Sequence, residues 1–359
     1  MSITGYIKNR GIQRKLVVSF VLMGIIPMII MGSVSYYKSS DILLKNANSE
    51  MTNLTGKTIE QVDAELRLLK MQLNNVVVPA QQVVDMIGVG IDIDVGTKEN
   101  MVKFYDEYMK ANPVFKRIRF LSLNGDEKFS SKKDGGDQSK GAAASLPWFQ
   151  KALATKDPVF SQIHVNKEIG EPVVVMARAF YNAEGKPFAV VAADLSAELV
   201  TKPVTSIKIG KAGYAYIINN EGMVVAHPDK TKNFQLDMNK YDFGKEMIQK
   251  KQGVIEYNWE GNRRLASFQT YPAMDWIIVT ATLKAEVLSS INTMQIIFII
   301  LLVVMAVLSL IAGVIFTVRL VKPINRVVDG LLESAEQVAS ASDQVSVSSQ
   351  HLAEGASEQ

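Results

Sequence analysis

Two stretches of this 359-residue chain carry no charged side chain, residues 16–37 (LVVSFVLMGIIPMIIMGSVSYY) and 294–318 (MQIIFIILLVVMAVLSLIAGVIFTV). A helix of about 20 apolar residues crosses the roughly 30 Å hydrocarbon core of a bilayer, so each run is long enough to be a transmembrane helix. Pro27 is tolerated inside a span, and Tyr36 and Tyr37 stand where aromatic side chains anchor at an interface. A cleaved signal peptide is the competing reading of the first run. That run is longer than a usual signal core, and no small-x-small cleavage site clearly follows it. Lys8, Arg10, Arg14 and Lys15 precede the first run; Arg319, Lys322 and Arg326 follow the second. Positive charge flanking both outer ends predicts two cytoplasmic termini and an intervening segment, about 38–293, outside the membrane.

Composition removes several function classes. The chain has no cysteine, which excludes disulfides, thiolate metal sites and cysteine nucleophiles. His164, His227 and His351 are too far apart in sequence for short metal-ligand spacing, so no metal site is expected. A net charge of +3 gives no case for nucleic acid. Phosphate-cradling glycine loops, a GxSxG elbow and HExxH are all missing, so neither an enzyme nor a cofactor is expected. Asp92, Asp94 and Glu99 are too few for a calcium loop, and the DGGD at 134–137 reads as a loop tip.

In the external segment Ile59, Val62, Leu66, Leu69, Leu73 and Val76 recur at steps of three and four. This amphipathic stripe, with the first apolar run, suggests one helix rising to about residue 85. The stripe suits packing on its own domain and a dimer seam alike. Residues 97–112 read as another helix, and after Pro113 the pattern changes to short strands. Residues 118–129 form a hairpin turning at Asn124-Gly125; residues 172–195 form a second, turning between Asn182 and Gly185. The same order then recurs. Residues 213–229 are a hairpin turning at Asn220 to Gly222, 243–257 a helix entering a strand as 148–160 do, and 263–283 a closing hairpin. Two tandem α+β units with antiparallel sheets follow from this grammar. The repeat sets Trp148-Phe149 against Phe243-Gly244, and Asp194 against Thr282. A carboxylate ending the apolar strand FAVVAA needs a partner. Asp194 either pairs with a ligand amine or caps a helix starting at Ser196.

These markers, in this order between two apolar runs, resemble the double Cache (dCache) sensor modules of bacterial chemoreceptors, the methyl-accepting chemotaxis proteins. The residues that carry the resemblance are Trp148-Phe149 with the helix after them, Asp194 in VAADLS, and GKAGYAYIINNEGMVVAHPD in the second unit. It covers about 40–290 and implies an extracytoplasmic α+β fold, two PAS-like antiparallel sheets on a long stalk helix between two transmembrane helices. The implied boundaries are a cytoplasmic N-terminus over 1–15, spans at 16–37 and 294–318, and a sensor over 38–293. The sensor divides into a stalk (38–88), a distal unit (97–203) and a proximal unit (204–290). The resemblance places a small-molecule ligand in the distal unit. In the family's amino-acid-binding version an arginine stands two residues before the tryptophan, a tyrosine seven before it and an aromatic about sixteen after it. Here those positions are Leu146, Gly141 and His164. Trp148, Phe149 and Asp194 match, and His164 and Arg178 are the further candidate contacts. Arg178, in the same hairpin as Asp194, suits an anionic ligand, an ion pair with Asp194, or solvent. The missing carboxylate anchor points to a ligand that is not a standard α-amino acid, or is held differently.

Beyond the second run, Ile324, Val328, Leu331, Ala335, Val338, Ser342, Val345, Ser349, Leu352 and Ala356 alternate by four and three. That is the seam of an α-helical coiled coil and predicts a homodimer. The KPI at 322–324 resembles the entry to a HAMP relay helix, abbreviated here, so 319–359 reads as a HAMP-like relay and the start of a signalling coiled coil. The tail is similar to the first turns of the methyl-accepting helix. Glu358 with Gln359 resembles a methylated pair, or is a solvated coiled-coil face. The chain is therefore expected to be a piece cut before the hairpin that engages the chemotaxis kinase and adaptor in that family. The implied function is a multi-pass chemoreceptor of the bacterial inner (cell) membrane, partnered by the bilayer, a second copy and a small ligand. The alternative is the sensor of a histidine kinase or nucleotide cyclase.

Overall fold

The computed structural model describes residues 3–88, 95–132, 143–182, 184–316, 319 and 322–357. Asp92, Asp94, the 134–137 loop, Gly141 and Glu358 lie outside the described residues. The chain divides into two compact units, residues 43–287, and residues 1–42 with 288–359. Helix α1 (Ile3–Gly88), 86 residues long, contributes to both.

In the 43–287 unit the α1 stripe faces inward. Val62, Leu66, Leu69, Leu73 and Val76 are buried, whereas Leu68 and Met71 on the other side of the helix are exposed. Helix α2 (Val95–Ala111) leads into β1 (Phe115–Ser122) and β2 (Glu127–Lys132). Then follow α3 (Pro147–Ala154), β3 (Val159–Phe160), β4 (His164–Asn166), β5 (Glu171–Tyr181) and β6 (Pro187–Ser196). These strands form one antiparallel sheet in the order β2-β1-β6-β5-β3, with β4 also pairing β5. Helix α4 (Glu198–Thr205) passes the chain to β7 (Lys208–Ile209), β8 (Gly213–Ile218) and β9 (Val224–Ala226). Next come α5 (Asp242–Lys250), β10 (Gln252–Trp259), β11 (Asn262–Tyr271), β12 (Trp276–Leu283) and α6 (Lys284–Val287). The second sheet has the order β10-β11-β12-β8-β7, with β9 on β8. The two sheets trace one circuit, β1, β6 and β5 of the first answering to β8, β12 and β11 of the second, which bears out the tandem repeat.

The forecast hairpin turns form where the residues allow them. Gly125 has φ +77°, and a Cβ there would sit 2.3 Å from the Ala144 backbone nitrogen, so the β1–β2 turn requires glycine. The Asn182 side chain accepts from the Lys186 N–H at 2.8 Å and closes the β5–β6 turn.

Each sheet turns one face to α1. Ile118, Phe120, Val174, Met176 and Val191 of the first and Ile217, Trp276 and Ile278 of the second are buried in one cluster with the α1 stripe. Earlier on α1 the contacts become polar. Thr55 Oγ1, fully buried, lies 2.8 Å from Thr280 Oγ1. Ser267 Oγ donates to Thr52 Oγ1 at 3.2 Å, and Tyr271 donates to Asp63 at 2.7 Å. The two sheets are also tied directly. Gln162 accepts from Trp276 Nε1 at 2.8 Å and donates to the Met274 carbonyl at 2.5 Å.

In the other unit α7 (Ser289–Phe316) has 28 residues. It packs on the apolar run of α1 through small residues. Phe20 and Phe316 rings lie 5.1 Å apart, and Phe298 covers Gly32, where a Cβ would come within 2.1 Å of the ring. Met23, Ile30, Ile296 and Leu301 face outward. Both helices are long and apolar enough to cross a membrane. Helix α8 (Lys322–Ser357) is continuous over the tail, with Ile324, Leu331, Val338 and Leu352 exposed.

Deleting a buried apolar side chain from the shared stripe should cost far more than deleting an exposed one. Leu73→Ala is expected to lose about 2–5 kcal/mol, and Leu68→Ala under about 0.5 kcal/mol. Denaturant midpoints of the detergent-solubilised chain measure both, and equal losses would refute the packing role of the stripe.

Candidate functional site

The face of the first sheet turned away from α1 has a low floor of small and medium side chains, Ala177, Ala179, Ala192, Val175 and Val190. Helix α3 lies over that floor, started by Pro147 at its first turn, where a missing N–H costs nothing. Phe149 and Ala152 are fully buried in this second cluster, and Trp148 packs edge-to-face on Phe149 with centroids 5.9 Å apart. Phe149 is thus packing, whereas Trp148 offers its ring to a charged neighbour.

That neighbour is Arg119, absent from the sequence expectation. Strand alternation places Arg117, Arg119 and Leu121 on the same face of β1, opposite Ile118 and Phe120. The Arg119 guanidinium lies 5.5 Å from the Trp148 ring centroid, and its Nη2 donates to Asp194 Oδ1 at 2.6 Å. Asp194 is fully buried, and its other oxygen accepts from Asn166 Nδ2 at 3.3 Å. Asn166 Oδ1 accepts from the Glu168 N–H at 2.9 Å, so one amide links the β4–β5 turn to the carboxylate. Beside them Arg117 donates to Glu127 at 2.6 Å and to Glu168 at 2.7 Å. Arg119 Nε, Arg117 Nε and Glu127 Oε1 are buried with no hydrogen-bond partner among the described residues. The carboxylates of Glu127, Glu168 and Asp194 face the guanidiniums of Arg117 and Arg119 here. The face thus sets a fully buried carboxylate, Asp194, and guanidinium donors beside an aromatic wall.

The other expected residues fall differently. Asp194 does not cap a helix: α4 starts at Glu198 behind Ala197, with no side-chain cap. Arg178 is half-buried on the opposite face of β5, in phase with Val174, Met176 and Phe180, which meet α1. It belongs to neither Trp148 nor Asp194, because two residues of one strand share a face only at even spacing. Val175, not Arg178, is the cross-strand neighbour of Asp194. His164 is exposed on β4, with Nδ1 3.1 Å from the Gln162 carbonyl oxygen. Its nearest link to the site is Asn166, two residues further along. The repeat comparison also slips by one. Thr280 and Thr282 lie on the α1 side of β12, and the counterpart of Asp194 on the outer face is Ala281.

The outer face of the second sheet is aromatic instead. Tyr214 and Tyr216 of β8, Tyr257 of β10 and Phe243 of α5 surround His227, with Phe243 stacked on Tyr257 at 4.3 Å. The space they leave is about 10 Å³. Burial, and then the charge of Lys232, hold the His227 imidazole down to about pKa 4. Its Nδ1 accepts from the Asp229 N–H at 2.9 Å.

Residues 37–291 match the family model of the Cache domain, dCache_1. The chain belongs to the double Cache family. Among curated proteins it is similar to the methyl-accepting chemotaxis protein McpA of Bacillus subtilis, 25% identical over 76% of this chain and 39% of McpA. TlpA of the same organism is 24% identical over 93% of this chain and 47% of TlpA. The chain spans less than half the length of these relatives. Among solved structures, the sensory domain of the Campylobacter jejuni chemoreceptor Tlp3 superposes with a TM-score of 0.54 at 13% identity, covering 69% of this chain and 98% of that one. The ligand-binding domain of Mlp24 with asparagine gives 0.51 at 16% identity, over 72% and 99%. At such identities the superpositions establish the fold alone.

Two outcomes test the two faces. Asp194→Ala strands the Arg119 guanidinium and should cost about 3–5 kcal/mol, whereas the paired replacement Arg119→Met with Asp194→Leu should recover most of it. A double-mutant cycle on unfolding midpoints measures this, and additive losses would exclude a coupled pair. For His227 the folded value lies below the ordinary 6.5, so the unfolded chain binds the extra proton first. Stability should therefore fall as pH drops from about 6.5 toward about 4, with His227→Gln removing that slope; a slope unchanged in the variant would assign it to other groups.

Proposed function

We propose that this chain is the sensory and membrane-spanning part of a chemotaxis receptor that binds an amine-bearing small molecule on the outer face of the first, membrane-distal sheet. The observation that carries the proposal is the Trp148–Arg119–Asp194 line: an aromatic wall, a cation and a buried carboxylate on one sheet face. The ligand's ammonium takes Asp194, and a carboxylate, where it has one, takes the free Nε of Arg119. Arg119 then does what an arginine at position 146 would do, and an amino acid is held from the sheet instead of from α3. Tlp3 domains solved with isoleucine and with valine, and Mlp24 with asparagine, support an amino-acid-sized ligand for this fold. Phe149 supports the wall from behind, His164 sits at the rim, and Arg178 has no part in binding.

The proposed layout keeps the boundaries read from the sequence: spans at 16–37 and 294–318, the sensor at 38–293 outside the membrane, and both termini cytoplasmic. A distal unit at 97–203 and a proximal unit at 204–290 share the stalk. The exposed seam of α8 pairs with that of a second copy, and residues 319–359 carry the signal toward a chemotaxis kinase and its adaptor. The dCache fold also occurs in a putative histidine kinase (TM-score 0.50, 14% identity), so fold does not choose the output. The chemoreceptor names of the curated relatives favour chemotaxis.

Calorimetric titration of the detergent-solubilised chain with amino acids, amines and organic acids tests the binding. An amine-bearing member should bind. Asp194→Asn should weaken it by about 100-fold and Trp148→Ala by about tenfold, in line with a buried charged contact and an aromatic one. A panel in which only organic acids bind, or undiminished binding by Asp194→Asn, would overturn the assignment.

A further inference from the structure

A cleft of about 400 Å³ lies between one end of the first sheet and the second half of the 43–287 unit. Sites for small organic molecules run from about 300 to 1,000 Å³, so the cleft is of ligand size. Strands β1 and β5 start here and β6 ends here, which brings Lys116, Glu171 and Ser196 together. Helix α4 leaves from the same end, its start tied down by the Ala197 N–H, which donates to the Pro172 carbonyl at 3.0 Å. The second half contributes the end of β9, with Val225 and Ala226, and the turn after it, with Lys230 and Asn233. That turn is held by Asp229, whose carboxylate accepts from the Thr231 N–H at 3.1 Å, and by the Asn233 N–H, which donates to the Lys230 carbonyl at 3.2 Å. The cleft is thus built on fixed backbone from both halves.

Ala197, Val225 and Ala226 are buried in the shared core cluster and give the cleft an apolar floor. Four charged side chains line it. Lys116 and Glu171 pair with each other at 3.2 Å. Glu198 of α4 and Lys230 of the turn are exposed, and among the described residues neither forms an ion pair, with the other or elsewhere. Two opposite charges that line one cleft without meeting suit a ligand that carries both charges at separate ends. In a free amino acid the ammonium and carboxylate stand on one carbon; in a dipeptide a planar peptide unit holds them apart. Thr201 adds a hydroxyl and Asn233 an amide, groups able to bond such a unit. We propose that this cleft is a second ligand site, which takes a zwitterion of dipeptide size, its ammonium on Glu198 and its carboxylate on Lys230. The site shares no residue with the Trp148–Arg119–Asp194 line and does not rest on the reading of that line.

Calorimetric titration of the full chain in detergent with alanyl-alanine, at neutral pH and low salt, tests the proposal. Saturable binding is expected. Glu198→Gln and Lys230→Gln change exposed side chains and should leave the fold intact. Each should weaken binding about threefold, the scale of a solvent-exposed ion pair. Capping the dipeptide separates the two contacts. Acetyl-alanyl-alanine has no ammonium, so it should bind more weakly than alanyl-alanine and respond to Lys230→Gln but not to Glu198→Gln. Unchanged affinity for alanyl-alanine in either variant would overturn the proposal. So would the absence of saturation, or binding lost in Asp194→Asn and kept in Glu198→Gln, which would place the dipeptide on the distal face instead.

Discussion

The buried stripe of α1 is the constraint on which the 43–287 unit depends. Each small sheet has two apolar faces, and its own short helix, α3 or α5, covers only one. An antiparallel sheet with an uncovered apolar face is not stable by itself, so the second face needs a shared layer. Val62 to Val76 provide it for both sheets, which makes two halves with separate sequences into one cooperative core. The character of the stripe changes along the helix. Between Val62 and Val76 branched side chains interlock with the sheets. Over Thr52 to Thr58 short hydroxyls meet Ser267 and Thr280. Close-packed methyl groups hold one register strongly. Hydroxyls that already bond their own helix, as Thr55 does to the Met51 carbonyl, give up less when a neighbour shifts.

One circuit supports two chemistries because the outer faces are free to diverge. Tyr214 and Tyr216 stand on β8 where Arg117 and Arg119 stand on β1, judged by their pairing with β12 and β6. Exchanging guanidiniums for phenols converts a lattice of ion pairs into an aromatic cluster. The carboxylates go with the cations: where the first sheet has Asp194, the second has Ala281. A buried carboxylate is sustained only beside a partner, so loss of the arginine and loss of the aspartate belong together. Arg264 departs from this rule: its Nε and Nη1 are buried with no hydrogen-bond partner among the described residues.

Much of the fold was legible because it is written in local signals. The Asn-Gly turn at 124–125, the stripe on α1 and the order of hairpins each reflect backbone requirements within a few residues. The site was only half legible. Trp148 and Asp194 stood out as expensive residue types in apolar surroundings. Arg117 and Arg119 did not, since two arginines in KRIRFLS read as solvated charge until the strand is known to be central, between β2 and β6. Arg178 misled for the complementary reason. Its place in the Asp194 hairpin suggests proximity, but alternation sends it to the other face. The set of Thr282 against Asp194 fails by a single position, which in a strand is the difference between pocket and core.

The bonds around Asp194 also connect it to the rest of the unit. Asp194 holds Asn166 at the end of β4, and β4 begins two residues after Gln162. Gln162 holds the indole of Trp276, which is fully buried against the α1 stripe. A ligand that takes the Asp194 carboxylate competes with the Asn166 amide, the longer and weaker of its two contacts at 3.3 Å against 2.6 Å for Arg119. Release or tightening of that amide acts on a three-residue edge strand, which has few ladder bonds to resist it. Trp276, by contrast, is fully buried in the cluster around the α1 stripe, so a displaced Gln162 would press on the second sheet and on α1. A three-residue edge strand of the first sheet therefore lies between Asp194 and the contact of Gln162 with the buried Trp276 of the second.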